Sequence, residues 1–359
     1  MRTGSAAIFG LALGLCAAAA LAQTPPAKIM RLQGEAPSAA DPAPKVFVID
    51  ARVTPGDSDF QTTIDGWFAA SAAPPSSGEL SGSCVQAKCV LSGELENGKF
   101  ILTGDFGDAS GPVAAHFVVK DDDDKTIQEG AASVQPLTGP IAGLGALAAP
   151  DAINEIQLDD LLLWNDQTVS TGSPPSDEPP SSSQRDSLAA WQGQNGRLAT
   201  GLIFATDLSE LRADADAARK KAGWTQLGDA AHGWSAGYPA AILPKASRNG
   251  AEQRFASADG AAALVVAVDP PMTSDDFDAF VDKMTADRAG RSQVSTERVN
   301  GDLEMGYEEG GVVTAAAYHN RDGGLARVVF TYPAKAKDLY EPYETIVQHS
   351  LTVTDELKP

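Results

Sequence analysis

The pentapeptide at residues 233–237, GWSAG, fits the G-x-S-x-G pattern that presents the nucleophile of many serine hydrolases. In that chemistry a histidine takes the proton of the serine and an acid orients the histidine, in the chain order serine, acid, histidine. Ser235 would be the nucleophile here, and the base would have to be His319 or His349. The motif therefore raises the hypothesis of a serine hydrolase.

The residues around the motif favour a structural interpretation. A helix that began at Ser235 would carry Pro239 in its second turn, where proline costs about 3 kcal/mol. The preceding segment TQLGDAAH lacks the apolar strand of a nucleophile elbow, and no HGGG-like oxyanion loop occurs. We therefore predict the start of a strand with Trp234 and Tyr238 packed inward, and keep the hydrolase as the alternative.

Four consecutive carboxylates, Asp121, Asp122, Asp123 and Asp124, make the second candidate site. Calcium is the cation that several oxygen ligands would suit. The run does not fit an EF-hand loop, because the sixth and twelfth positions hold Thr126 and Ala132. Adjacent side chains on an extended chain also point in alternate directions. We predict a solvated hairpin tip, with weak cation binding by the acidic region as the alternative, and assign no metal site.

Two further patterns are weaker. Residues 143–148, GLGALA, match the dinucleotide-binding pattern G-x-G-x-x-A, but the surrounding Pro136, Pro140 and Pro150 leave room for neither the strand nor the helix that it needs. We therefore expect no cofactor. Tryptophans can line a carbohydrate surface, yet five spread over the chain are more typical of core and rim positions; they are Trp67, Trp164, Trp191, Trp224 and Trp234.

The N-terminus predicts export. An apolar run over residues 6–21 follows Met-Arg and reaches Ala-Leu-Ala before Gln23, which is the pattern of a signal peptide cleaved near Ala22. The mature protein would be periplasmic or secreted and would keep Cys84 and Cys89. In an oxidising compartment such a pair predicts a disulfide, whereas a redox pair or a zinc site is a weaker alternative. We expect no transmembrane segment in the mature chain.

The formal net charge is −21, and it is unevenly distributed. Residues 45–178 hold 6 basic and 21 acidic side chains. Since no stripe of Lys or Arg could neutralise phosphates, nucleic acid is an unexpected partner. An unidentified protein or another envelope component is the expected one.

The elements that would position these residues form two domains. After the signal peptide (1–22) we predict a flexible Pro/Ala-rich tether (23–44). Short runs of partial period-two alternation then predict an acidic all-β domain (45–206), an antiparallel sandwich or barrel, with a disordered Pro/Ser-rich insertion at about 166–184. The predicted strands include EIQLDDLLLW, and a hairpin is predicted around Asn195-Gly196.

The second half changes period. Apolar residues spaced by three and four predict an amphipathic helix from Asp207, ended by Gly223, within a connection over residues 207–231. Strands and helices then mix over 232–354, which predicts an α+β domain, an antiparallel sheet covered by helices, before a short tail (355–359).

This last part resembles the PsbP-like fold, which is named for an extrinsic subunit of photosystem II and in which helices cover a curved antiparallel sheet. The residues that carry the resemblance are Gly237-Tyr238-Pro239, Phe255 with Asp259-Gly260, and Tyr332-Pro333. The resemblance covers about a third of the chain and implies a non-catalytic role, since the family is in general not enzymatic. The sequence thus predicts an exported, non-catalytic binding or interaction protein of the bacterial cell envelope; the alternatives are a serine hydrolase that uses Ser235, and cation or polymer binding by the acidic β-domain.

Overall fold

The first half of the chain forms a closed barrel of eight antiparallel strands, each hydrogen-bonded to the next. The computed structural model describes residues 28–36, 45–55, 61–70, 76–95, 98–106, 110–141, 144–167, 180–229, 233–250, 252–286, 288–299, 301–354 and 357. The barrel strands are β1 (Lys28–Ala36), β2 (Lys45–Pro55), β3 (Gln61–Ala70), β4 (Ser76–Val85), β5 (Lys88–Leu95), β6 (Gly98–Gly104), β7 (Val113–Lys120) and β8 (Thr126–Pro136).

The predicted tether is wrong over Lys28–Ala36, because this segment is strand β1. It pairs with β2 along its whole length and closes the barrel against β8, from Leu32 opposite Pro136 to Glu35 opposite Ser133. The physical reason is a short period-two alternation, since Met30 and Leu32 both enter the barrel core. The rest of the predicted tether, and the signal peptide, lie outside the described residues.

The interior of the barrel is a packed apolar core. Alternate residues of every strand point inward, and Ile49, Leu91 and Leu102 are completely buried. Large rings share this space with glycines: a Cβ on Gly34 would lie 2.0 Å from Cζ of Phe47. Eight strands enclose a space that side chains can just fill. The described strands therefore enclose a filled interior.

The predicted disulfide is confirmed: Cys84 and Cys89 are bonded across the hairpin of β4 and β5. Their Cα atoms are 4.0 Å apart, and both side chains are buried in the barrel core. The bond closes a loop of about six residues, so the loop-entropy model gives a stabilisation of about 2 kcal/mol.

Reduction should therefore lower the free energy of unfolding of the wild-type protein by about 2 kcal/mol. Urea unfolding with and without dithiothreitol measures this difference. The double variant Cys84→Ala/Cys89→Ala is the control and should show no dependence on the reductant. Equal midpoints for oxidised and reduced wild type would contradict the prediction.

Three helices follow the barrel: α1 (Glu155–Leu163), α2 (Ser182–Gln194) and α3 (Ala205–Ala222). The predicted strand EIQLDDLLLW is wrong, because it is α1, which starts with a capping box between Asn154 and Gln157. The predicted hairpin at Asn195-Gly196 is also wrong: Asn195 ends α2, and Gly196 adopts φ +69°. Asn-Gly suits both a hairpin turn and a helix end, because both need positive φ.

The predicted disordered insertion at about 166–184 is wrong where α2 begins, since Ser181 and Gln184 form a second capping box there. Residues 168–179 lie outside the described part of the chain. The predicted helix that begins near Asp207 is confirmed as α3, and Gly223 ends it with φ +60°.

Two further sheets complete the structure. Strands β9 (Trp224–Asp229), β10 (Trp234–Pro239) and β18 (Thr352–Val353) form a three-stranded sheet in the order β18-β10-β9. A seven-stranded antiparallel sheet has the order β11-β12-β13-β17-β16-β15-β14; its strands are β11 (Lys245–Asn249), β12 (Glu252–Ala256), β13 (Ala263–Asp269), β14 (Arg291–Val299), β15 (Asp302–Glu309), β16 (Val312–Arg321) and β17 (Gly324–Pro333).

Helices cover little of the seven-stranded sheet. On one face α4 (Ser274–Thr285) packs Phe277 and Val281 against the sheet. On the other face lie the three-stranded sheet and the short helices α5 (Lys337–Tyr340) and α6 (Glu344–His349), each preceded by one 3-10 turn.

The predicted fold class, an all-β sandwich or barrel followed by an α+β PsbP-like domain, is contradicted by this architecture. The structure is mostly β, with a closed eight-stranded barrel and a second large sheet, and helices are few among the described residues. No clear α+β PsbP-like domain stands out in the described C-terminal part. The physical reason is helix length: α5 and α6 have only 4 and 6 residues, so the three-stranded sheet shares the cover of this face of the large sheet with them. Within the described ranges, no helix is both long and apolar enough to cross a membrane.

Candidate functional site

A cleft of about 260 Å³ lies between the outer face of the barrel and the helical segment. Strands β1 to β4 form one wall, and residues 148–150, Ile153, Ile203 and the start of α2 form the other. Six charged side chains line it: Arg31, Asp50, Arg52, Asp65, Glu79 and Arg185. We call it the charged cleft.

Strand register brings the charged residues of the barrel wall together. Arg31 is opposite Asp50, Asp50 is opposite Trp67, and Trp67 is opposite Glu79, so one row crosses four strands. In a second row, two residues further along β2, Arg52 is opposite Asp65 of β3. Because side chains alternate between the two faces of a strand, both rows point away from the apolar core.

The floor of the charged cleft is a buried ion cluster of Arg31, Asp50 and Arg185. Arg31 Nε donates to Asp50 Oδ1 at 2.9 Å, and Arg185 Nη2 donates to Asp50 Oδ2 at 3.3 Å. The side chains of Asp50 and Arg185 are each only 11% exposed. Burial lowers the pKa of the Arg185 guanidinium, and the carboxylate of Asp50 opposes that shift. Two guanidinium groups share one carboxylate, so the floor has a formal charge of +1.

Local structure holds Arg185 in this position. Arg185 lies in the first turns of α2, which the capping box of Ser181 and Gln184 starts. Gln184 in turn donates to Asp159 of α1, at 2.8 Å, and thereby fixes α2 against α1. Trp67 of the barrel donates its Nε1 to the carbonyl of Thr200 at 2.6 Å, which attaches the residues after α2 to the barrel wall. The cleft is therefore preformed.

The rim of the charged cleft is acidic. Asp65 and Glu79 are exposed, and neither has an ion-pair partner among the residues that the structure describes. Burial, and then the negative charge of Glu79, raises the pKa of the neighbouring Asp186 on α2. With Arg52 opposite Asp65, the lining at the rim has a formal charge of −1, close to a floor of formal charge +1.

The structure places Ser235 second in strand β10, which lies between β9 and β18. Its hydroxyl is 2.6 Å from that of Thr352 and accepts a hydrogen bond from Gln226 at 3.3 Å. The two histidines considered as bases have other partners: His319 Nδ1 is 3.2 Å from Asp302, and His349 Nε2 is 3.3 Å from Glu304. Among the described residues, the structure does not bring a nucleophile, a base and an acid together around Ser235.

The four aspartates form the turn between β7 and β8. Asp121 accepts hydrogen bonds from the backbone of Asp123 and Lys125, and Asp124 Oδ1 is 2.6 Å from Nζ of Lys99. The carboxylates therefore serve the turn and a lysine, and do not converge on a common point. Over the described part of the chain, no group of three or more His, Cys, Asp or Glu side chains could hold a metal ion.

The remaining candidates lie in packed regions. Gly145 and Leu147 of the GLGALA segment form isolated bridges with Ile141 and Phe204. Trp67, Trp164, Trp191 and Trp234 are buried, while Trp224 is half-buried and packs edge-on against Trp164. The tryptophans thus belong to cores and do not form a shared surface.

Comparison with known proteins adds a weak structural likeness. No family model and no curated protein matches this chain. The solution structure of cyanobacterial PsbP (CyanoP) from Synechocystis sp. PCC 6803 matches with a TM-score of 0.27 and 15% sequence identity. The match covers 36% of this chain and 92% of that chain. At this TM-score the likeness carries no argument about fold or function.

A second buried cluster of titratable groups, around His349, joins the helices to the seven-stranded sheet. The groups are Asp159 of α1, His349 of α6, Glu304 of β15 and Glu297, which is opposite Glu304 on β14. Burial raises the pKa of Asp159 to about 6, although the hydrogen bond from Gln184 and the charge of His349 oppose this shift. Burial alone would lower the pKa of His349, but Glu304, Asp159 and Glu297 raise it overall.

Because of this cluster, we expect the free energy of unfolding to decrease as the pH rises. Because the folded-state pKa of Asp159 lies above its ordinary value of 3.8, its favourable contribution is complete below about pH 4 and lost by about pH 6. The raised pKa of His349 likewise gives a contribution that is complete below about pH 6.5 and lost above it.

Asp159→Asn keeps the oxygen that accepts from Gln184 and removes the charge. The free energy of unfolding of Asp159→Asn minus that of wild type should increase by about 2 kcal/mol from pH 4 to pH 7. Urea unfolding of both proteins at the two pH values measures this difference. Asp160→Asn is the matched control, because Asp160 is 55% exposed and pairs with Arg219. A difference between Asp159→Asn and wild type that does not change with pH would refute the prediction.

Sequence reasoning did not single out the charged cleft. Arg31 lies in the segment predicted as a tether, and Arg185 lies between the predicted insertion and the predicted hairpin around Asn195-Gly196. The capping-box spacings of Asn154-x-x-Gln157 and Ser181-x-x-Gln184 are the signal that would have placed α1 and α2. Nothing local indicated that Asp50 would receive Arg185.

Proposed function

We propose that this chain is an exported, non-catalytic binding protein of the bacterial cell envelope, and that the charged cleft holds its ligand. The observation that carries the proposal is the preformed cleft, whose buried floor fixes two arginines on one carboxylate. Concave sites with a few fixed polar groups are where small ligands bind. The signal-peptide pattern and the disulfide support an oxidising compartment outside the cytoplasm.

The absence of a catalytic role is part of the same proposal. In the described structure the hydroxyl of Ser235 contacts Thr352 and Gln226, and neither residue is a general base. In the Arg31–Asp50–Arg185 cluster both oxygens of the carboxylate are held by guanidinium groups. Such a cluster suits recognition better than proton transfer.

A ligand screen by thermal unfolding tests the proposal. The mature protein is heated with a library of small polar metabolites, in parallel with Ala149→Trp, which places a large ring at the mouth of the charged cleft without touching an ion pair. A compound at a hundred times its Kd would stabilise the wild type by about 2.7 kcal/mol, which is a shift of several degrees. The shift should be absent in Ala149→Trp.

The control is Arg298→Gln, which removes an exposed ion pair between Arg298 of β14 and Asp278 of α4, outside the charged cleft. It should respond to the compound as wild type does. If no compound shifts the wild type, or if Ala149→Trp responds equally, the charged cleft is not a binding site.

A further inference from the structure

We infer that the ligand of the charged cleft is a small zwitterion, with its carboxylate on the arginine floor and its ammonium at the acidic rim. This inference rests on the proposed function and names the chemical class of its ligand. The charge at each end of the cleft, its size, and the distance between the two ends support this class of ligand.

The floor selects an anionic group. Arg31 and Arg185 share the single carboxylate of Asp50, which leaves one positive charge uncompensated. Ser181 and Ser182, at the positive end of the α2 dipole, line the same part of the cleft. Planar guanidinium groups bind carboxylates through charge-assisted hydrogen bonds, and a partly desolvated site strengthens them.

The rim selects a cationic group. Asp65, Glu79 and the Arg52 opposite Asp65 give the lining of the rim a formal charge of −1, and Asp186 adds a third carboxylate beside Glu79. A ligand with only a carboxylate would meet repulsion at this rim. A ligand with only an amine would meet repulsion at the floor. The formal charges of the six charged side chains of the lining sum to zero. A ligand with no net charge that carries one positive and one negative group therefore matches both ends.

Size and spacing narrow the class further. A cavity of about 260 Å³ is below the usual range of sites for drug-sized molecules, so the ligand has the size of an amino acid. Asp50 and Glu79 stand two strands apart, which is about 10 Å between their backbones. The side chains extend into this space and shorten the gap. A ligand with about three carbons between its two charged groups should therefore fit better than a ligand with one.

Calorimetric titration with three matched probes tests the inference: 4-aminobutyrate, butyrate and butylamine. We expect 4-aminobutyrate to bind at least tenfold more tightly than butyrate or butylamine, and more tightly than glycine. Glu79→Gln should weaken the binding of 4-aminobutyrate at least tenfold and leave the binding of butyrate unchanged. Arg31→Gln should weaken the binding of both 4-aminobutyrate and butyrate. Glu94→Gln, an exposed change on β5 outside the cleft, is the control and should change nothing.

The outcomes separate this inference from the proposed function. Binding of butyrate or butylamine as tight as that of 4-aminobutyrate overturns the inference. So does a failure of all three probes when another compound of the screen binds wild type and not Ala149→Trp; the proposed function then stands with a different ligand class. If no compound binds in the cleft at all, both fall together.

Discussion

Asp50→Asn should lower the free energy of unfolding by about 4 kcal/mol. Asp50 is the single counter-charge of two arginines, and Arg185 has little contact with water, with its side chain 11% exposed. Without the carboxylate, the two guanidinium groups on the floor of the charged cleft repel each other, and the neutral oxygen of Asn cannot compensate both. Urea unfolding at constant pH measures the loss.

Two controls make this result specific to a buried charge. Asp278→Asn breaks an exposed pair with Arg298 and should change stability by no more than about 0.5 kcal/mol. Asp50→Leu/Arg185→Met removes the carboxylate together with the more buried arginine and should lose less than Asp50→Asn alone, because only Arg31, whose side chain is 20% exposed, loses its counter-charge. A loss below about 1 kcal/mol for Asp50→Asn would mean that Arg185 reaches water and that the floor is not fixed.

Gly237→Ala should cost about 3 kcal/mol, which is a large effect for one methyl group. A Cβ on Gly237 would lie 2.0 Å from Cζ2 and 2.4 Å from Cε2 of Trp224. The indole cannot move aside easily, because its other side packs edge-on against Trp164 with ring centroids 5.0 Å apart. Thermal or urea unfolding of the purified variant checks the value. The last glycine of GWSAG is thus required by a tryptophan on the neighbouring strand.

Ser235→Ala is the matched change within the same motif. It removes a partly exposed hydroxyl that bonds Thr352 and Gln226, and should cost about 1 kcal/mol or less. A fluorophosphonate probe should not label the wild-type protein. Labelling that Ser235→Ala abolishes would show that the proposed non-catalytic function is wrong and would restore the hydrolase.

The features that could be predicted from the sequence are those whose determinants lie close together in the chain. The pairing of Cys84 with Cys89 follows from two cysteines five residues apart in a β-hairpin. Helix α3 follows from its apolar spacing and from Gly223, which adopts the left-handed conformation that glycine favours. Helices α1 and α2 were missed because short apolar runs fit a strand as well as a helix, and only the capping boxes distinguish them.

By itself the sequence determined these local elements, the acidic charge and the alternation that puts one face of each barrel strand in the core. It did not determine the charged cleft, because the partners of Asp50 are 19 and 135 residues away. Which outward side chains become neighbours depends on the register of four strands and on the position of α2 over them. Those are set by packing of the whole barrel and helical core, and a shift of one residue in register would turn the same arginines and carboxylates to the other face.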